Sequence, residues 1–515
     1  MKYRSLPLAF LLSLPTLVQA QRFQAEAASI ASIHAAMDAN QLTCRSLVSQ
    51  YLARINAYDK TGPAINALIV VNPNALAVAD SLDRRFRAGG RVGPLHCIPM
   101  VVKDNMQTTD LPTTAGSLAF AGWIPKKDAF QVRRIREAGA IVIAKSNMAE
   151  FAFSPYETVS SILPGSSKNP YALDRVTAGS SGGTAASVAA GFGTLGLGTD
   201  TGNSIRGPSS HQALVGIRST MGLTSRAGVV PLYLSQDIAG PMARSVADAA
   251  AVLQVIAGED PDDPVTAASR GRPAENYLAA LDVNGLKGAR IAVLRQAYAQ
   301  ESRDSEVVAV FDRAVADLRR AGATVLDSIA LPTLDSLRRT QRGGCSQFKF
   351  DLNRFLEALG EDGPPLRSLE AIVRSNRFHP SVQRRLEREQ MAETPPEDNP
   401  GCASRDAFRT ALREAVTKAM DDTRVDALVY PTWSNPPRLI GDLNTPHGDN
   451  SQFFSPSTGF PAMTVPMGYT RGALPAGITF FGRAWSEATL IKLAYSYEQL
   501  TKHRRLPAST PTIYD

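Results

Sequence analysis

The sequence predicts an α/β fold on a mainly parallel β-sheet, and two observations carry that prediction. Short apolar runs alternate with amphipathic helical stretches, and glycines stand at the breaks between them. At the centre, Gly/Ser-rich turns flank a stretch of small residues and a strand, so backbones are expected to approach closely there.

In chain order, Thr43 reads as a helix N-cap, with Leu47, Val48, Tyr51, Leu52 and Ile55 following at helical spacing. Residues 98–102 form an apolar run, read as a buried strand. Lys103 follows at its C-terminal end, where α/β proteins collect chemistry. Residues 129–138 read as a helix, Gly139 as its stop and 140–144 as a strand. The centre offers a helix at 184–190, a strand at 195–198 and a turn at 201–208. The grammar returns with a strand at 291–294, a helix at 307–320, a stop at Gly322 and a strand at 324–329. From 334 to about 422 the chain turns charged and helical, broken by Pro364-Pro365 and Pro395-Pro396. That stretch reads as a helical insertion within a single domain spanning 21–515. Strands at 425–430, 460–466 and 478–481 and a helix over 487–501 complete the core.

The 515 residues are 44% hydrophobic and 20% charged, which allows a large core and argues against wholesale disorder. Positions 1–20 read as a secretory leader: Lys2 and Arg4, a mostly apolar run over 6–17, then Val18-Gln19-Ala20 as a small-residue cleavage site. The run is too short to span a bilayer, and no later apolar stretch is long enough. A secreted or periplasmic enzyme without stable membrane insertion is therefore expected. The formal net charge of +7 includes the two leader cations. Arg384, Arg385 and Arg388 alternate with Glu387 and Glu389 as on a solvated helix, and no one-signed patch suggests nucleic acid. The four cysteines lack metal-type spacing and could form up to two disulfides. Cys345 and Cys402 flank one irregular region and are the favoured pair, while Cys97 reads as a small core residue.

Three segments point to acyl transfer. Thr201 leads into Gly202-Asn203-Ser204, a turn whose successive N–H groups can converge on an oxygen that becomes negative when its carbonyl is attacked. Read alone, the turn serves equally as a structural cap. Lys103 borders an apolar run, and desolvation would leave a neutral amine able to accept a proton. Read alone, a lysine at a strand end more often points to solvent. Gly179-Ser180-Ser181-Gly182-Gly183 adds two hydroxyls, or only a flexible loop. It also matches Gly-x-Ser-x-Gly with Ser181 as nucleophile, an esterase-type alternative that needs an acid and a histidine downstream. His211, His379, His447 and His503 are the candidates, none in a convincing local setting.

Taken together, these segments resemble the amidase signature family of serine hydrolases. Lys103, the Gly-Ser-Ser-Gly-Gly turn and the run from Gly198 to Pro208 match its motifs in order. Gly93 to Pro99, residues 460–466, and Phe481-Gly482-Arg483 through Arg504-Arg505 fit as well. The resemblance implies a large mixed, mainly parallel twisted β-sheet flanked by helices on both faces. It also implies cofactor-free and metal-free amide hydrolysis by a Ser–Ser–Lys triad. Ser204 would be the nucleophile, and Ser180 would bridge it to Lys103. The N–H groups of Thr201, Gly202, Asn203 and Ser204 would form the oxyanion hole, supported by Asp200 and Arg206.

The chain departs from the family pattern at Asn203, commonly a second glycine, at Cys97, usually glycine, and at Thr177-Ala178 in place of Pro-Gly. The expected partner is a small-molecule or peptide amide, with the protein a monomer or homodimer. Ser181, Trp433 and Asn435 are candidate substrate contacts. Phe348, Phe350, Phe355, Phe453 and Phe454 favour an apolar or aryl acyl group. The competing reading is a glutamine-hydrolysing subunit of a tRNA-dependent amidotransferase-like assembly, against which the leader argues. A binding protein on the same scaffold is the non-enzymatic alternative.

Overall fold

The computed structural model describes residues 23–272, 275–299, 302–340 and 343–513, so the leader expected at 1–20 lies outside the described residues. Its strands are β1 (Leu68–Val71), β2 (Pro99–Lys103), β3 (Ile141–Ser146), β4 (Lys168–Asn169), β5 (Ala172–Val176), β6 (Leu195–Asp200) and β7 (Val215–Arg218). They continue with β8 (Ile238–Ala243), β9 (Arg290–Val293), β10 (Thr324–Leu326), β11 (Ala427–Pro431), β12 (Ala462–Thr470) and β13 (Leu474–Phe481). Eleven of them form one sheet in the order β1-β3-β2-β6-β8-β7-β12-β13-β11-β9-β10, while β4 and β5 pair separately. Parallel pairs occupy the two flanks, β3–β2–β6 and β11–β9–β10. Antiparallel pairs run through the centre from β6 to β11, and β1 closes one edge antiparallel. The result is a large mixed sheet with helices packed on it.

The parallel flank that carries the site is buried along its length. Every residue of β2, β3 and β6 is shielded from solvent. Strands covered on both faces read as continuous apolar runs, which is why they were recognisable. Thr43 caps the helix Cys44–Tyr58 by accepting from the Ser46 N–H. Helices Phe130–Glu137 and Ser305–Arg320 end at Gly139 and Gly322, whose φ values of +92° and +97° suit glycine.

Several boundaries moved: β10, expected over 324–329, ends at Leu326, and β13, expected from 478, begins at Leu474. Two other shifts have a clear local cause. The turn expected over 201–208 ends early, because helix Arg206–His211 begins within it. Pro208 fits that helix because its missing N–H falls in the first turn. The strand expected to stop at Pro466 runs on to Thr470 and pairs with β13 along its whole length. A register shift between Pro466 and Gly468 absorbs the proline, and Arg471 and Gly472 turn the hairpin at positive φ.

Between β10 and β11 lie helices Leu334–Thr340, Phe348–Ala358, Leu369–Ser375, Pro380–Gln390 and Pro400–Thr423. Their apolar faces bury Phe348, Leu352, Ile372 and Leu386 against Phe120, Phe151 and Phe153. That second core seats the helices over the loop that precedes the serine-rich turn. Cys345 and Cys402 are disulfide-bonded, with Cα atoms 4.5 Å apart, and tie the segment before one of these helices to the start of another. Cys97 is not simply a small core residue: it is buried but bonded to Cys44, with Cα atoms 5.2 Å apart. Small size and high burial suit both states, and the sequence offered no contact to separate them.

Candidate active site

β2 delivers Lys103 into the interior, where its side chain is fully buried. Burial pushes the amine down to about 7, while Asp237 and Asp200 pull it back up from a distance. Lys103 Nζ donates to Ser180 Oγ at 2.7 Å and to Thr199 Oγ1 at 2.7 Å. Asn105 Nδ2 also donates to Thr199 Oγ1, at 3.1 Å, and fixes that hydroxyl in place. Among the described residues no carboxylate lies within ion-pairing distance of Lys103. The amine therefore faces hydroxyls alone.

Ser180 follows a cis peptide bond from Gly179. A Cβ on Gly179 would collide with the carbonyls of Ser154 and Glu157, so only glycine fits there. Ser181 begins the fully buried helix Gly182–Ala190. Its Oγ donates to the Thr199 carbonyl at 3.1 Å and accepts from the Thr199 N–H at 3.3 Å. Ser181 thus fastens the serine turn to β6. Among the described residues no histidine bonds to it, which leaves the esterase-type alternative without a base.

β6 ends at Asp200, and the chain then turns through Thr201, Gly202, Asn203 and Ser204. Among the described residues the N–H groups of these four are not taken by any protein acceptor. The Ser204 carbonyl accepts from the Ser181 N–H at 3.3 Å, which places the two serine turns against each other. Ser204 Oγ makes no hydrogen bond among the described residues, so the contact expected between Ser180 and Ser204 is not made. The structure joins Lys103 to Ser180 and brings Ser204 alongside through its backbone.

The loop is held by buried charge. Asp200 Oδ2 accepts from Arg206 Nε at 3.1 Å and from the Ile205 N–H at 3.2 Å, and Oδ1 accepts from Arg218 Nη1 at 3.2 Å. Burial pushes the Asp200 carboxyl up, and the two arginines bring it below its ordinary value. Arg206 Nη2 reaches the Gly202 carbonyl at 2.6 Å. Asn203 Nδ2 donates to Asp449 Oδ2 at 2.7 Å, so the side chain in the usual glycine position tethers the turn. Thr201 Oγ1 donates to Asp237 Oδ1 at 2.5 Å, and the other Asp237 oxygen accepts from the Leu232 N–H at 2.8 Å.

A cleft of about 470 Å³ opens onto Thr201, Gly202, Asn203 and Ser204. Its walls include Phe153, Tyr156, Leu232, Tyr233, Val382 and Arg385. The substrate contacts expected elsewhere are not among them. Trp433 is buried against His211, with ring centroids 4.4 Å apart, and its Nε1 donates to the Gly207 carbonyl at 3.1 Å. Asn435 spends its amide on the Pro446 carbonyl at 2.9 Å. Phe348 lies in the second core, and Phe453 and Phe454 pack on each other. None of these three lines the cleft.

Sequence reasoning missed Thr199, Arg218, Asp237, Asp449, Tyr233 and the cleft role of Arg385. Thr199 was legible in principle, since it precedes Asp200 in the same motif. The rest come from distant segments with no local signal.

The chain matches the family model described as Amidase over residues 46–491. It is 34% identical over 506 residues to a probable amidase of Arabidopsis thaliana, covering 94% of this chain and 92% of that one. It is 36% identical over 461 residues to a glutamyl-tRNA(Gln) amidotransferase component of Myxococcus xanthus, covering 87% and 92%. Among solved structures, native peptide amidase from Stenotrophomonas maltophilia superposes with a TM-score of 0.84 at 38% identity, covering 94% of this chain and 99% of that chain.

Proposed function

The chain belongs to the amidase family and is a hydrolase of amide C–N bonds, and we propose that it cleaves peptide-type amides through an acyl-Ser204 intermediate. The observation that carries this reading is the buried Lys103 amine, 2.7 Å from Ser180 Oγ and lowered to about 7.

A neutral amine has two N–H groups and one lone pair. Thr199 Oγ1 takes one N–H, and the lone pair accepts the Ser180 proton. Ser180 Oγ in turn takes the Ser204 proton as Ser204 Oγ bonds to the amide carbon. Catalytic hydrogen bonds are often long without substrate, and the Ser180–Ser204 leg closes when the cleft is filled. The carbonyl oxygen becomes negative and receives the unspent N–H groups of residues 201–204. The C–N bond breaks as the proton held by Lys103 returns through Ser180 to the leaving nitrogen. Water then attacks the acyl-Ser204 ester by the same relay in reverse, releasing the carboxylate.

Several features support the narrower reading. The peptide amidase neighbour is 38% identical over 94% of this chain. Both disulfides suit an oxidising compartment, as does the leader read from the sequence. That compartment also weighs against a tRNA-dependent assembly, although relatives of that kind match. Purified mature chain without partner is expected to release ammonia from peptide amides and to show an acyl adduct on Ser204 by mass spectrometry. Hydrolysis persisting in Ser204→Ala, or strictly requiring a second protein, would sink the reading.

A further inference from the structure

Arg385 stands out among the cleft residues because no carboxylate pairs with it directly; Glu389 reaches it only through the Tyr233 hydroxyl, which donates to Glu389 Oε1 at 3.3 Å. Helix Pro380–Gln390 sets Arg385 one turn beyond Ser381 and Val382 along the cleft wall. Arg385 Nη1 donates to the Phe153 carbonyl at 2.6 Å and Nη2 to the Tyr233 hydroxyl at 2.9 Å. The guanidinium carbon lies 4.3 Å from the Phe153 ring centroid. These partners are neutral, and among the described residues no carboxylate lies within ion-pairing distance. Nε is buried without a partner. A guanidinium carries five N–H donors in a planar fork that matches a carboxylate, so donors remain over.

The placement is also rigid. The Tyr233 N–H is held by Asp237, and Asp237 holds the Thr201 hydroxyl. The cation is thereby tied through two residues to the turn that carries Ser204. Glu157 is the carboxylic side chain of the cleft wall, and it forms no ion pair with Arg385 among the described residues. A fixed, half-buried guanidinium in a cleft with aromatic walls is arranged to receive an anion rather than to stabilise the fold.

We propose that Arg385 is a specificity-determining residue that receives a carboxylate borne by the acyl portion of the substrate. This inference rests on the amide hydrolysis proposed above and adds its substrate class: acidic peptide amides.

The test uses N-acetyl tripeptide amides in which a single Glu, or its isostere Gln, is walked through the three positions ahead of the scissile amide. The full chain is expected to prefer Glu over Gln in kcat/KM by about tenfold at one position, carried mainly by KM. That preference should shrink at high salt. Arg385→Gln should bring the ratio of Glu to Gln kcat/KM to about one, Arg385→Lys should keep part of that ratio, and Glu157→Gln should preserve it. Equal rates for Glu and Gln at every position would overturn the proposal. So would an Arg385→Gln protein that lowers both series alike, which marks a structural role. If the wild-type chain hydrolyses none of these amides, the functional reading falls instead. Calorimetric binding of the Glu and Gln peptides to wild type and Arg385→Gln then decides Arg385 separately, with equal affinities overturning it.

Discussion

Replacing Lys103 by methionine, beside a titration of the wild-type enzyme, isolates what the buried amine contributes. Burial brings its pKa from 10.5 to about 7. At pH 7 an ordinary lysine is neutral in only about 3 molecules in 10⁴, whereas one with a pKa near 7 is neutral in about half, a gain of about 10³ in competent base. The wild-type kcat/KM should therefore fall about tenfold for each pH unit below roughly 7 and level off above it. Asp449, pushed up to about 6 by burial, titrates nearby and tethers Asn203. An acid limb that survives in Asp449→Asn with its midpoint near 7 is thus assigned to Lys103. Lys103→Met, which has no base, should lose about 10²- to 10⁴-fold.

Stability supplies a second readout with its own sign. Because the folded pKa lies below the unfolded one, the unfolded chain binds more protons between about 7 and 10.5, and wild-type stability should rise with pH across that window. The cost of the buried amine at pH 7 is about 4 kcal/mol at 1.36 kcal/mol per unit. Methionine removes that cost but leaves Ser180 and Thr199 hydroxyls short of a donor, a loss of about 1–3 kcal/mol. Lys103→Met should thus melt higher than wild type at pH 6 to 7, and the order should reverse towards pH 10 as the wild-type cost disappears. A flat rate profile from pH 5 to 9, or an active Lys103→Met, would refute the relay.

Asp237→Asn removes the charge that most strongly opposes the lowering of Lys103, so the acid limb of kcat/KM should move to lower pH; a limb that stays put would detach Asp237 from the amine's titration. Loss of the bond between Cys345 and Cys402, which stand 57 positions apart, should cost about 4 kcal/mol by loop-closure entropy. The double serine variant should accordingly unfold at lower denaturant than wild type, and an unchanged midpoint would show that the bond contributes nothing.

Local chemistry was legible where neighbours in sequence are neighbours in space. Residues 98–102 read as a buried strand because apolar side chains cover both faces, and Lys103 followed from its place at the strand's end. The Thr43 cap and the stops at Gly139 and Gly322 were equally local. Only pairing with β13 shows the bulge that accommodates Pro466 and lets β12 run on to Thr470, because that register depends on the partner strand.

The sequence by itself determined the α/β grammar, the two serine turns and the lysine able to serve them, since each depends on residues a few positions apart. Only tertiary structure decided what those groups feel. Asp237, Arg218 and Asp449 reach the nucleophile loop from remote segments, and the sheet order that brings them there is set by long-range pairing and shared burial. The cleft wall is likewise tertiary: Trp433 and Asn435 looked suited to substrate but are spent on backbone carbonyls. Arg385, on a helix that read as solvated, came to line the same cleft as Ser204 because the second core docks that helix over the site.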